Sequence, residues 1–279
     1  MQQAIERLDK KLEKIYNNPR HLETASNGVF ASAIRAGIDV DKFLDEVEQG
    51  TAFDFEAFAS AERGNVLYFL KPEFHSIANS LVNITAGGNG GMASIGRGEF
   101  FIAFMSNFEA KISKSGMGDI EYKGRYEEVK HNGGKFAVDK KAGREVAKEF
   151  NVLREQAGID LKLKDYVPNR LKDKRLYTEE QVQILNGLYW QAIVEEDEGP
   201  LRDYELFRKC VRRAFENVFA TTDSVLIINE DLNFVRFFDA ESAIEFYSSK
   251  IDIISREFEI RNRQNNAIAF YVGKEEVTA

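Results

Sequence analysis

Cysteine is almost missing from this chain: among 279 residues Cys210 is the single one. One thiol cannot close an internal bridge, so a disulfide-stapled small fold is excluded and a reducing cytoplasm is the expected setting. Cys-built zinc sites fall with it, and three scattered histidines, His21, His75 and His131, offer no His-rich metal cage. Proline is scarce too. Pro19, Pro72, Pro168 and Pro200 are the four present, with no Pro/Ser linker, internal repeat or low-complexity tract, so boundaries must be read from changes of pattern. No run approaches the ~18 apolar residues of a membrane span. The opening MQQAIERLDKKLEKI has no apolar stretch behind its basic residues. The chain is therefore expected to be soluble, intracellular and without a membrane partner. Positive charge is in short supply: 38 Lys and Arg face 46 Asp and Glu, a net charge of -8. That balance excludes a protein that coats nucleic acid over its whole surface, but not one with a local basic face.

What is abundant is apolar surface, 43% of residues, enough to bury a sizeable core in one large domain or two small ones. The first part reads helical. Ile5, Leu8, Leu12 and Ile15 recur at helical spacing, and Phe43, Leu44 and Val47 do so again in a short acidic segment. From Phe53 to Ile84, positions such as Phe55, Phe58, Leu67, Leu70, Ile77 and Leu81 suggest more helix, broken near Lys71-Pro72. Such stripes are core rather than cofactor boxes.

The texture then changes, because Gly87, Gly88, Gly90, Gly91, Gly96 and Gly98 fall close together. A phosphate-binding loop fails on detail: no Gly-Lys-Ser/Thr follows and no strand with Rossmann glycine spacing precedes. The segment reads as a connector into a helix that begins near Gly98, with Glu99 in its first turn, where a helix dipole favours an acid. Three extended segments are expected next: Phe108 to Ser113, Gly118 to Tyr122 and Tyr126 to Lys130, the last two separated by Lys123-Gly124-Arg125, a turn-sized gap. Strand alternation puts Asp119 and Glu121 on one face, Glu128 and Lys130 on one face, and Glu127 and Val129 on the other. A hairpin brings Asp119, Glu128 and Lys130 into one cluster. Two carboxylates with a fixed ammonium suit a hard divalent cation bound through oxygen.

This pattern, Asp119 followed across a hairpin by Glu128-Val129-Lys130 with Glu99 on the helix before, resembles the PD-(D/E)XK nuclease superfamily over about residues 96 to 157. The tripeptide alone carries little, since an acid, any residue and lysine also occur at Asp9, Glu109, Glu121, Asp139 and Asp160. Context selects the Glu128 copy. The proline of the family name is absent, Gly118 preceding Asp119.

The resemblance implies an α/β (α+β) fold: a restriction-endonuclease-like core of a mixed sheet flanked by helices at 86–232, with a helical insertion at about 158–222. A helical N-terminal region would precede it at 1–85 and a strand-rich extension would follow at 233–279. The family core runs helix, three strands, helix, strand. Here the second helix is expected from about Val138 to Gln156, and the closing strand at Ser224 to Asn229.

The resemblance also implies Mg²⁺-dependent hydrolysis of phosphodiesters in double-stranded DNA, as in restriction, repair or phage DNA-processing enzymes. Asp119 and Glu128 would hold the Mg²⁺, with the Val129 carbonyl as a backbone ligand. Lys130 would orient or help deprotonate the attacking water and stabilise charge at phosphorus. Glu99 is either the upstream acid that completes the metal shell, directly or through water, or simply a favourable charge at a helix N-terminus. Glu121 is a spare ligand.

Charge distribution agrees with a polyanion near this cluster. Between Lys111 and Arg175 there are 17 Lys and Arg against 11 Asp and Glu. Lys135, Lys140, Lys141, Arg144 and Lys148 are candidate DNA-phosphate contacts, or a solvated lysine-rich helix. Thr178 to Leu188 and Leu201 to Phe219 read as amphipathic helices, candidates for a recognition or homodimer surface, with Cys210 a core thiol. Phe234 to Phe238, Ile251 to Ile260 and Ala267 to Val272 read as strands around a helix at Ala240 to Tyr247. The competing reading is a non-catalytic DNA-binding or virion-structural protein that kept a nuclease-like fold. RNA is disfavoured, since no RNA-recognition aromatic signature occurs.

Overall fold

A computed structural model describes residues 2–14, 19–85, 95–113, 117–131, 135–137, 143–158, 203–248 and 269–271. They form two compact units, one drawn from residues 1–133 and 221–238, the other from 134–220 and 239–273.

The first unit opens with helices α1 (Gln2–Leu12), α2 (Pro19–Arg35) and α3 (Val40–Glu48). Asp39 starts α3 by accepting the Lys42 N–H at 3.1 Å, satisfying one of the donors that a helix start leaves over. Phe43, Leu44 and Val47 are buried, as their spacing predicts. Ile5, expected in the apolar stripe of α1, stays 38% exposed; Ala4, Leu8 and Leu12 form the buried face instead.

Between Phe53 and Ile84 the chain is less helical than its pattern suggests. Only α4 (Phe55–Ser60) and α5 (His75–Val82) are α-helices, and Asp54 caps the first of them. Between them lie a strand β1 (Arg63–Asn65) and two 3₁₀ turns, and Phe53 pairs with Leu70 as an isolated antiparallel bridge. The apolar side chains of this stretch enter one core from a short helix, 3₁₀ turns and a bridge, so their spacing imitates a helix without forming one.

Helix α6 (Glu99–Met105) begins where Gly98 predicts, and every one of its residues is buried. A helix apolar all round belongs in a core. Here Phe101 meets Phe53 edge-on at 5.3 Å and Phe100 stacks on Phe104 at 5.5 Å. The N-terminal helices, α6 and the inner face of the sheet share a single apolar core that includes Leu8, Phe43, Phe58, Val129 and Leu226.

Phe108, expected in a strand, instead ends α6. Asn107 and Phe108 adopt left-handed φ of 53° and 64°, and the Phe108 N–H bonds to the Ala103 carbonyl at 2.9 Å. The exposed-carbonyl end of a helix is closed by left-handed residues, and local alternation gives no warning of that. Only Lys111–Ile112 remains as strand β2.

Strands β3 (Ile120–Tyr122) and β4 (Arg125–His131) follow, then β6 (Ser224–Ile228) and β7 (Asn233–Phe237). With β1 and β2 they make a six-stranded mixed sheet in the order β1-β7-β6-β4-β3-β2. β2, β3 and β4 are an antiparallel meander; β6 lies parallel to β4, Glu128 facing Val225 and Lys130 facing Ile227. A parallel neighbour needs a long crossover, which residues 132–223 supply.

In the second unit the helix expected from Val138 is α7 (Gly143–Gln156). Strand β5 (Lys135–Ala137) pairs antiparallel with β8 (Ala269–Tyr271), the realised part of the Ala267 to Val272 expectation. Helices α8 (Asp203–Phe219) and α9 (Ala240–Ser248) stand where their patterns place them, and Phe215 stacks on Tyr247 at 5.4 Å. The Gly-rich run 86–94, the Thr178 helix, the Ile251 to Ile260 strand and the Cys210 side chain lie outside the described residues. Among the described residues no helix is long and apolar enough to cross a membrane.

Candidate functional site

The hairpin that carries the candidate acids is set by two backbone features. Lys123 and Gly124, with φ of 50° and 75°, form a two-residue turn that closes on the Tyr122–Arg125 pair. Both left-handed angles match the twist of the flanking strands. At the far end, Gly118 has φ of 61°, and a Cβ placed there would stand 2.9 Å from the Glu127 carbonyl oxygen. Only glycine fits. That close approach lets the Asp119 N–H bond to the Glu127 carbonyl at 2.8 Å and the Asp119 carboxylate accept the Val129 N–H at 2.9 Å.

Cross-strand partners share a face, so Tyr126, Glu128 and Lys130 point the same way as Asp119 and Glu121. The Lys130 ammonium lies 3.7 Å from Asp119 Oδ2, contacts Glu128 Oε1 directly and donates to the Val129 carbonyl at 3.4 Å. Asp119, Glu128, the Val129 carbonyl and Lys130 are thus brought together. Glu121 pairs across the meander with Lys111 and Tyr126.

Glu99 approaches from α6. Its carboxylate is tied back to the Gly96 N–H, and a Cβ on Gly96 would strike Glu99 Oε1 at 2.2 Å. Burial, then the neighbouring Asp119 charge, raise the Glu99 pKa to about 7. Burial pushes Glu128 above the usual carboxylate range; Lys130 pulls it back in part and Asp119 adds to the rise. Burial alone would depress Lys130, but Glu128, Asp119 and Glu99 more than offset it and hold the ammonium charged.

The Glu99 shift has a sign that can be measured. Between pH 4.5 and about 7 the folded carboxyl keeps a proton that the unfolded chain releases, so stability falls as pH rises across that window. Replacing Glu99 with Gln should remove a fall of order 2–3 kcal/mol from the unfolding free energy. Urea unfolding at pH 4.5 and 7.5 for both proteins checks it; parallel pH profiles would rule it out.

The oxygen donors fit a cation, because one already stands among them. Two carboxylates and a carbonyl converge on the Lys130 ammonium, and a Mg²⁺ site commonly uses one or two carboxylates with water and phosphate completing the shell. Among the described residues no three His, Cys, Asp or Glu side chains come close enough to one another to hold a metal unaided. Glu99 and the cluster feel each other's charge, Asp119 and Glu128 raising its pKa and Lys130 lowering it.

Beneath the cluster, on the opposite face of β4, is a pairing that sequence reading missed. Arg236 of β7 is 3% exposed. It forks onto Glu127 at 2.7 and 3.3 Å, donates to the Phe58 and Ala61 carbonyls and lies 4.7 Å over the Phe58 ring. Ser224 donates to the same Glu127 carboxylate at 2.8 Å. Since Glu127 is fixed on one face, its neighbour Glu128 is fixed on the other. The one hint in the sequence was an arginine set among the apolar residues of a strand, Phe234, Val235 and Phe237.

Of the expected DNA contacts, Lys148 is exposed on α7, Lys135 lies on β5 and Arg144 on α7. Lys140 and Lys141 lie outside the described residues. Comparison with family models, with curated proteins and with solved structures returned no match for this chain.

Proposed function

We propose that the protein is a Mg²⁺-dependent endonuclease that hydrolyses phosphodiester bonds of double-stranded DNA, with the restriction-endonuclease-like core that its sequence resembles. The observation that carries this reading is the convergence of Asp119, Glu128 and the Val129 carbonyl on one cationic point at the edge of the β3–β4 hairpin. The chain order α6, β2-β3-β4, β5, α7, α8, then β6 parallel to β4 resembles, once β5 and α8 are set aside, the helix, three strands, helix, strand order of that core, and this supports the reading.

Asp119 and Glu128 would hold the Mg²⁺, with the Val129 carbonyl beside them. The ion would supply a more acidic bound water and neutralise phosphate charge. Lys130 keeps its proton and so serves as a fixed positive charge facing the scissile phosphate. Glu99, poised near neutrality, accepts or returns a proton at the cluster. Lys135, Lys140, Lys141, Arg144 and Lys148 would meet the DNA backbone electrostatically.

Incubation of pure protein with supercoiled and linear duplex DNA in Mg²⁺ should give nicked or cut products that vanish with EDTA. Binding without cleavage at every Mg²⁺ or Mn²⁺ concentration would favour a non-catalytic DNA-binding role.

A further inference from the structure

A concave site lies on the face of the sheet opposite Asp119 and Glu128. Between α4, the β3–β4 hairpin and the start of β6 is a cavity of about 730 Å³. That volume falls in the range of small-molecule pockets, ~300–1,000 Å³. Most of its charge is already spent inside the fold. Glu127 is taken by Arg236, and Glu56 is taken by Lys123 and by the Tyr122 hydroxyl at 2.6 Å.

Two charged groups are left over. The Arg125 guanidinium is exposed and has no ion-pair partner among the described residues. Asp223 gives one oxygen to the Tyr126 N–H at 2.8 Å and keeps the other. The walls are aromatic: Phe55 meets Tyr122 edge-on at 4.7 Å, and Phe238 remains 42% exposed.

These features select a ligand. An apolar molecule would strip water from Arg125 and Asp223 without replacing it. Bare phosphate would use Arg125 but face three carboxylates and leave the rings uncovered. A flat ring with an anionic arm and an amino group satisfies all three elements. We propose that this cavity binds an amino-bearing nucleotide, its base against Phe55, Tyr122 and Phe238, its amino group toward Asp223 and its phosphate on Arg125.

The nucleotide is either free or the terminus of a DNA strand, and the site does not rest on the nuclease reading. Calorimetric titration of the full chain with dAMP, deoxyadenosine, inorganic phosphate, dTMP and a 5′-phosphorylated oligodeoxyadenylate separates the cases. Saturable dAMP binding is expected, weakened about tenfold or more by Arg125→Ala and by Phe238→Ala, and unchanged by Asp119→Asn. Deoxyadenosine, phosphate and dTMP should each bind more weakly than dAMP. Tighter binding of the oligonucleotide than of dAMP marks a strand end as the source, and equal or weaker binding marks a free nucleotide. The proposal is overturned by absence of saturation at millimolar dAMP or by equal binding of dTMP. Full affinity in both cavity variants overturns it, and so does loss of binding in Asp119→Asn, which would move the nucleotide to the acid cluster. The cavity variants should leave Mg²⁺-dependent DNA cleavage intact, so failure of either reading is visible by itself.

Discussion

Asp119→Asn and Glu128→Gln should each slow Mg²⁺-dependent cleavage of duplex DNA by about 10³-fold while leaving the fold in place. Several kcal/mol of charge stabilisation depends on a metal ligand, and each 1.4 kcal/mol is about tenfold in rate. The amide replacements matter. Asparagine at 119 can still accept the Val129 N–H through its carbonyl oxygen, so the bond at 2.9 Å survives while the negative charge is lost. Alanine would orphan that N–H and confuse a folding defect with a catalytic one. Lys130→Met should cost about 10²-fold or more in cleavage rate, since it removes the fixed charge facing the scissile phosphate. Single-turnover cleavage with matched melting curves is the measurement. Either carboxamide variant cutting at the parental rate would end the proposed role of this cluster.

The second large effect concerns stability. Arg236→Met leaves the half-buried Glu127 carboxylate beside Ser224 with no cation, takes one donor from the Phe58 carbonyl, which keeps the Ala61 N–H, and removes the guanidinium donor from the Ala61 carbonyl. Breaking a buried pair from one side costs about 3–5 kcal/mol, which for a protein of this size lowers the melting temperature by roughly 10 °C. A double change, Glu127→Leu with Arg236→Met, should recover much of the loss, because it removes the stranded charge and fills similar volume. Thermal and urea unfolding of the three variants form a double-mutant cycle. Additive losses would show that the pair is not coupled.

Much of the candidate site was legible because it is local. Strand alternation and the turn at Gly124 are enough to gather Asp119, Glu128 and Lys130, and Gly98 marks the start of the helix that carries Glu99. The mixed sheet flanked by helices was expected through the family resemblance, since its parallel β4–β6 pairing joins distant segments that no local pattern links. What escaped is long-range or set by the chain's need to turn. Glu127 and Arg236 are 109 residues apart, and nothing near either announces the other. Phe108 alternates with Ala110 and Ile112 as a strand residue would, yet the end of α6 claims it for a left-handed turn, where its ring meets Phe104 at 6.3 Å. The apolar positions from Phe53 to Leu70 divide between a short helix, a 3₁₀ turn and a bridge, three settings that no single periodicity encodes.

The two carboxylates of Glu127 and Glu128 are neighbours in the chain with opposite duties, one locked to Arg236 and one turned toward Lys130. Their division of labour depends only on counting. Inserting or deleting one residue between Arg125 and Glu127 would exchange their sides, turning Glu127 away from the arginine and Glu128 onto it, with composition nearly untouched. Length, more than chemistry, is what this short ribbon cannot afford to change.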